Sequence, residues 1–409
     1  MSEKPSPLMR PAEGAAETMG VYVHFPYCLQ KCPYCDFLSL PAAREDIPHV
    51  AYADAVLAEL AQRKHGLPSL PLRSVFFGGG TPSLWQPEQL GRVLQAILAA
   101  FPEHSAQLEI TAECNPSSFD DRVASGFRAV GVNRISLGVQ GLDAERLRFL
   151  GRLHDAAGAF TALEVAQRHA FPRVSADLIF GVAGESPEEA AREVDAVANS
   201  GVTHLSAYAL TIEPGTRFGE LSRHNRLPLL PEEAVADSFA AVEAALEARG
   251  FSHYEVSNYA KPGAEAQHNL GYWRGEPYLG LGAGAWGTLP HDGSHRLRYR
   301  NTPATDRYLR WATQRDELDL TQTGEFVAVT EQLSADTAFA EQLMLGLRLA
   351  EGFAWNNAEA RTGARMWTPA REKAFAKWSA RGALAESAGR LHIPRSHWLL
   401  ADGVIADLM

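Results

Sequence analysis

Three of the four cysteines of this 409-residue chain fall in one short stretch, "VHFPYCLQKCPYCDFLS", as Cys28, Cys32 and Cys35 with the spacing C-x3-C-x2-C. Thiolates gathered in one loop can ligate zinc or an iron–sulfur cluster. A structural zinc site closes with four ligands, yet the remaining cysteine, Cys114, lies far along the chain, and no second C-x2-C or H-x3-H completes a zinc pattern. A [4Fe–4S] cluster on three cysteines leaves one iron open, and an open coordination position is what a reactive centre needs. Cys114 reads as a small buried residue.

Other residues with chemical potential recur at similar places. "FFGGGTPS" (76–83) carries Gly79, Gly80 and Thr81 in a loop where backbone can approach a ligand. Glu113 ends "LEITAEC", Gln140 ends "RISLGVQ", Arg152 lies in "LGRLH" and Asp177 in "SADLIFG". Arg152 suits a carboxylate as a two-pronged donor. Glu113 and Asp177 suit amino or hydroxyl groups. Further on, "HNLGYW" holds His268, an imidazole of the kind that ligates heme iron, beside the broad faces of Tyr272 and Trp273. The run "GLGAGA" (280–285) mimics a dinucleotide fingerprint, but "WGTLP" follows it and not a helix, so NAD binding is discounted.

These residues need elements to position them. Short β-branched and aromatic runs predict strands at 20–25, 74–78, 108–114, 134–139, 174–180 and 204–210. Between them, 51–64, 87–101 and 186–201 repeat apolar residues at helical spacing. The last opens with Ser186-Pro187-Glu188-Glu189, an N-terminal cap. Six such units imply a parallel sheet, and fewer than eight imply an open barrel. Acidic and catalytic residues at carboxyl ends of strands are then where barrel sites are built. A helix is expected at 231–250. Helices are also expected at 330–350, 369–382 and 396–409, in a small, mostly helical unit with a winged-helix character at its end.

With 46% hydrophobic and 21% charged residues the composition is globular, and a net charge of −11 argues against nucleic-acid binding by the whole surface. No run of 18 apolar residues predicts a membrane span, and the start has no apolar core of a secretory signal. The first 18 residues read as a flexible tail.

The motif C-x3-C-x-aromatic-C, with Tyr34 as the aromatic, resembles the radical SAM enzymes. The resemblance implies S-adenosylmethionine (SAM) chelated to the open iron, with Tyr22, Gly79, Gly80, Thr81, Glu113, Gln140, Arg152 and Asp177 around it. "YVHFPYCLQKCPYCDF", "FFGGGTPS", "RISLGVQ", "DLIFG" and "HLSAYALTIEPGT" together are similar to the oxygen-independent coproporphyrinogen III oxidase family of porphyrin biosynthesis, which includes a heme-chaperone branch. That family implies a partial (β/α)6 radical SAM barrel at 19–257, a connecting segment at 258–299 and a HemN-type C-terminal domain at 300–409. The oxidases add a further cysteine, C-x3-C-x2-C-x-C; here Asp36 and Phe37 follow Cys35. "HNLGYW" matches the H-N-x-x-Y-W motif of the chaperone branch. The branch implies a protein that binds heme, with His268 as a ligand, and delivers it to acceptor proteins such as membrane respiratory enzymes. Its place is then the cytoplasm, or the inner-membrane face by peripheral docking. The alternative is the oxidase itself, a radical decarboxylase of propionates.

Overall fold

The computed structural model describes residues 17–291, 296–314 and 321–409. All six expected strands form: β1 Met19–Phe25, β2 Leu72–Gly79, β3 His104–Cys114, β4 Arg134–Gln140, β5 Arg173–Phe180 and β6 His204–Ala209. They pair in parallel in chain order. Helices cross between them: α1 His49–Arg63, α2 Pro87–Ala100, α3 Asp121–Val130, α4 Ala144–Phe149, α5 Ala156–Arg168 and α6 Pro187–Ala198. The expected cap is present. Ser186 accepts from the Glu189 amide and the Glu189 side chain accepts from the Ser186 amide. Two more helices follow β6: α7 Arg217–Arg223 and α8 Glu232–Ala248.

Period-two alternation sorts the strand side chains. Val21, Val23 and Phe25 of β1, with Val75 and Phe77 of β2, are fully buried in the large core that includes Tyr52 and Val56 of α1. The opposite faces of the strands line the barrel lumen. Register sets the lumen's upper rung, pairing His24 with Gly78, Glu113 with Ser136, and Gly138 with Asp177.

The stretch 258–299 does more than connect. After the edge hairpin β7 Ser252–Glu255 and β8 Asn258–Ala260, the chain forms α9 Gln267–Trp273 and returns to the other edge. There β9 Tyr278–Leu281 pairs in parallel with β1, and β10 Trp286–Pro290, β11 Arg296–Asn301 and β12 Val327–Leu333 extend the sheet antiparallel. The sheet order is β12-β11-β10-β9-β1-β2-β3-β4-β5-β6-β8-β7. "GLGAGA" (280–285) is the end of β9 and the turn into β10, with no helix behind it. The helix α10, Thr305–Gln314, sends Tyr308 and Trp311 into the main core.

The helix expected at 330–350 is shorter than its sequence reading, as is the one expected at 396–409, whose α-helix begins at Ala401. Residues 330–333 belong to β12, because "VAVTEQL" has β-branched residues to lay beside β11, and Ser334 then caps α11, Ala335–Gly346. With α11 begins a second core. It contains α12 Trp355–Thr362, α13 Pro369–Ser379, α14 Ala401–Leu408 and the small sheet β13 Phe353–Ala354, β14 Ala385–Ser387 and β15 Arg390–His392. The order helix, strand, two helices and a hairpin agrees with the winged-helix character expected there. Among the described residues no helix is long and apolar enough to cross a membrane.

Candidate functional site

At the carboxyl ends of the barrel strands lies a cavity of about 450 Å³. Its walls include Cys28, Cys32, Cys35, Gly79, Gly80, Thr81, Glu113, Gln140, Arg152 and Asp177. The side chains come from six separate segments, and the barrel brings them together.

The cysteine loop leaves β1 and is closed at its neck. The Leu40 amide donates to Pro26 O at 2.7 Å and the Ala42 amide to Cys28 O at 2.8 Å. His24 ties the loop to the barrel from below, one ring nitrogen 2.8 Å from Leu38 O and the other 2.9 Å from the Tyr22 hydroxyl. The Thr81 hydroxyl donates to Cys28 Sγ at 3.3 Å, and Arg152 Nη1 donates to Cys32 Sγ at 3.5 Å. Burial pushes the Cys28 thiol up to about 11 and the Cys35 thiol upward too, so deprotonation at neutral pH asks for a bound cation. Among the described residues no three His, Cys, Asp or Glu side chains close on one point as ligands of a single ion do. The thiols instead stand around the cavity wall.

The glycine loop meets the thiols from β2. Gly79 has φ +107°, a conformation that L side chains resist. Any Cβ on Gly80 would come within 2.7 Å of Pro26 C and Tyr27 O, so only glycine lets the two loops touch. That contact carries hydrogen bonds, Gly80 N to Phe25 O at 2.7 Å and Thr81 N to Tyr27 O at 2.9 Å.

Two carboxyls face the same space. Glu113 accepts from the Gly79 amide at 2.9 Å. Burial raises its pKa to about 7; the Gly79 bond opposes this, and nearby Asp177 adds to it. Asp177 is raised by burial as well, and accepts from Ser136 Oγ at 3.2 Å. Gln140 has φ +67°, where the β4–β5 register slips. A non-glycine residue in this conformation marks a strained position. Arg152 donates through Nη2 to Gly138 O at 2.7 Å, while its Nε is buried with no protein acceptor.

These features fit a three-cysteine cluster with SAM. The set offers three thiols, an open place beside them, a close-approach glycine loop, and both acid and guanidinium groups for an amino acid's two ends.

Two expected residues lie elsewhere. Tyr22 is half-buried on β1 and does not line the cavity; its hydroxyl is held by His24. His268 sits in the barrel floor on α9, 3% exposed. One ring nitrogen is 2.8 Å from Ser74 Oγ, the other is 2.9 Å from the Tyr272 hydroxyl, and Phe76 stacks on the ring. Burial drives its pKa down to about 3, so the ring is neutral. Beneath it, Glu109 accepts from the Gln267 and His268 amides and pairs with Arg134 at 3.4 Å. Both Glu109 and Arg134 are buried. Sequence reasoning missed Asn115 and Tyr208, which line the cavity. Each stands at or just past the carboxyl end of a strand, the same signal that marked Glu113. Cys114 is buried beside them with its thiol toward Ala112 O.

Comparison with known proteins agrees with this geometry. Residues 22–197 match the radical SAM superfamily and residues 333–400 the HemN C-terminal domain. The heme chaperone HemW of Mycobacterium tuberculosis is 35% identical over 394 residues, 96% of this chain and 95% of the relative. The heme chaperone HemW of Escherichia coli is 38% identical over 69% of this chain and 74% of its own length. Among solved structures, the Escherichia coli coproporphyrinogen III oxidase HemN, described as a radical SAM enzyme, aligns with TM-score 0.77 over 97% of this chain and 91% of that one. At 20% identity it shows a shared fold.

Proposed function

The chain belongs to the HemW family of radical SAM proteins, and we propose that it binds heme together with a [4Fe–4S] cluster and SAM and hands the heme to acceptor proteins. The observation that supports this reading is the cysteine-lined cavity with Phe37, and not a further cysteine, two residues after Cys35, in a chain alike to the heme chaperones along nearly its whole length.

Cys28, Cys32 and Cys35 hold the cluster, which supplies an electron and one open iron. Around that open place the chain's own groups select SAM. The glycine loop of Gly79, Gly80 and Thr81, with Glu113 beneath it, receives the amino end. Arg152 neutralises negative charge beside Cys32. Gln140 and Asp177 address the nucleoside part, and Tyr22 supports the loop through His24. The acceptors are heme proteins, reached in the cytoplasm or at the inner-membrane face.

Anaerobic reconstitution of the full chain tests the reading. The cluster-loaded protein retains hemin, passes it to an apo-acceptor, and leaves coproporphyrinogen unconsumed. Conversion of coproporphyrinogen to protoporphyrinogen, without heme retention, overturns the chaperone reading in favour of an oxidase.

A further inference from the structure

The glycine-rich run "GLGAGA" (280–285) has no helix behind it and so no dinucleotide to hold. Its glycines face the protein's own chain. A Cβ on Gly282 would stand 2.4 Å from His24 O and 2.8 Å from the Tyr52 hydroxyl, and one on Gly284 would stand 2.4 Å from Leu38 Cδ2. His24 and Leu38 are themselves joined, ring nitrogen to carbonyl, at 2.8 Å. Leu38 lies three residues past Cys35. The turn therefore touches both partners of the bond that ties down the returning limb of the cysteine loop. Such close approach is open only to glycine.

The turn is gripped from behind. Glu59 of α1, fully buried, accepts from the Gly282 amide at 2.9 Å, from Asn301 Nδ2 at 2.8 Å, from the Tyr308 hydroxyl at 2.7 Å and from Arg63 Nε at 2.7 Å. Asn301 Nδ2 also donates to Gly282 O at 2.7 Å. Tyr52 adds a bridge, its hydroxyl donating to His24 O at 2.6 Å and accepting from the Ala283 amide at 3.0 Å. The groups come from α1, α10 and β11, and none of them lines the cluster cavity. A buried polar network so fully matched holds its members in one arrangement.

We propose that this turn is the seat of the cysteine loop, and that Gly282, Gly284, Tyr52 and Glu59 are positioning residues for the cluster. The proposal rests on the cluster reading above and adds a part of the chain that supplies no ligand. The seat fixes Leu38 from two sides, its carbonyl through His24 and its side chain through Gly284. Cys35 is thereby kept in place relative to Cys28, whose carbonyl is tied at the loop's neck. Three thiols with no fourth protein ligand need support from the residues around them to keep their spacing. The sheet extension beyond β1 thus serves the chemistry at the mouth, although its strands lie outside the barrel.

The test follows iron release. The full-length chain is reconstituted anaerobically and challenged with EDTA, and its reduced cluster is read by electron paramagnetic resonance. Gly284→Ala pushes Leu38 away; it releases iron about tenfold faster than the wild type and alters the resonance line shape. Leu38→Ala added to Gly284→Ala removes the collision and restores the wild-type rate, while the melting temperature of the apoprotein stays lowered by an alanine at φ +70°. Tyr52→Phe, which keeps its ring in the core, also speeds release, and it carries the test alone should Gly284→Ala not fold. A wild-type rate in either folded single variant, or a double variant as labile as Gly284→Ala, overturns the seat and leaves the cluster reading standing. A wild-type chain that takes up no iron and sulfide overturns both.

Discussion

The two ends of one barrel lumen are built to opposite rules. At the floor, the charges meet within the protein: Glu109 pairs with Arg134 and caps α9, while Arg134 also donates to Ala264 O and Ser175 Oγ. At the mouth, Glu113 and Asp177 lie close with raised pKa values, Arg152 keeps a buried Nε unmatched, and three thiols face open space. Buried polar groups are costly unless paired, so the floor spends its polarity on holding the fold, and the mouth leaves its polarity for a ligand.

The largest break in that contrast comes from the cysteines. Cys32→Ser abolishes the cluster, read as iron and sulfide at background after anaerobic reconstitution, while urea unfolding of the apoprotein changes little. A stability loss in place of a cluster loss would erase the distinction between the two ends.

The floor should answer in the reverse way. Glu109→Ala strands Arg134 in the interior and costs about 3–5 kcal/mol in denaturant unfolding, as removal of one member of a buried pair does. An unfolding midpoint equal to the wild type would show that the floor is not structural.

The next effect is a pH dependence at the mouth. Glu113 titrates near 7 in the fold against an ordinary 4.5, so between those values the folded protein keeps a proton that the unfolded chain releases. Stability of the apoprotein therefore falls as pH rises from about 4.5 to 7, by a few kcal/mol at most. Glu113→Gln removes that contribution, and the difference in melting temperature between the variant and the wild type grows across this window. A difference constant with pH sinks the assignment of the shift to Glu113.

The smallest effect sharpens the floor. Ser74→Ala takes one hydrogen bond from His268 and costs about 1 kcal/mol, with cluster content untouched. Impaired cluster loading in this variant would mean that the floor and the mouth are coupled.

Much of this was legible in the residues. The six strands and three of their crossover helices, α1, α2 and α6, follow from local periodicity, and the Ser186 cap from a four-residue pattern; α3, α4 and α5 were not expected. Ten candidate site residues share one cavity because each was marked by a local cue: thiol spacing, a glycine run, or an acid, amide or guanidinium near a strand's carboxyl end. Other features had no local cue. Nothing around 278–281 announces that β9 lies beside β1, more than 250 residues away. The segment 330–333 reads equally well as helix, and its strand state depends on β11 being alongside.

The chemistry at the mouth was therefore determined by the sequence itself, since ligand type and spacing are properties of a few neighbouring residues. The tertiary structure alone decided which polar groups are matched. Glu109 and Glu113 are four residues apart on one strand, both facing the lumen, yet one meets Arg134 and α9 and the other meets a cavity. Likewise His268 looked available for iron until Ser74 and Tyr272 were brought to its two nitrogens. Pairing and burial are non-local quantities, and they exist only once distant segments have packed.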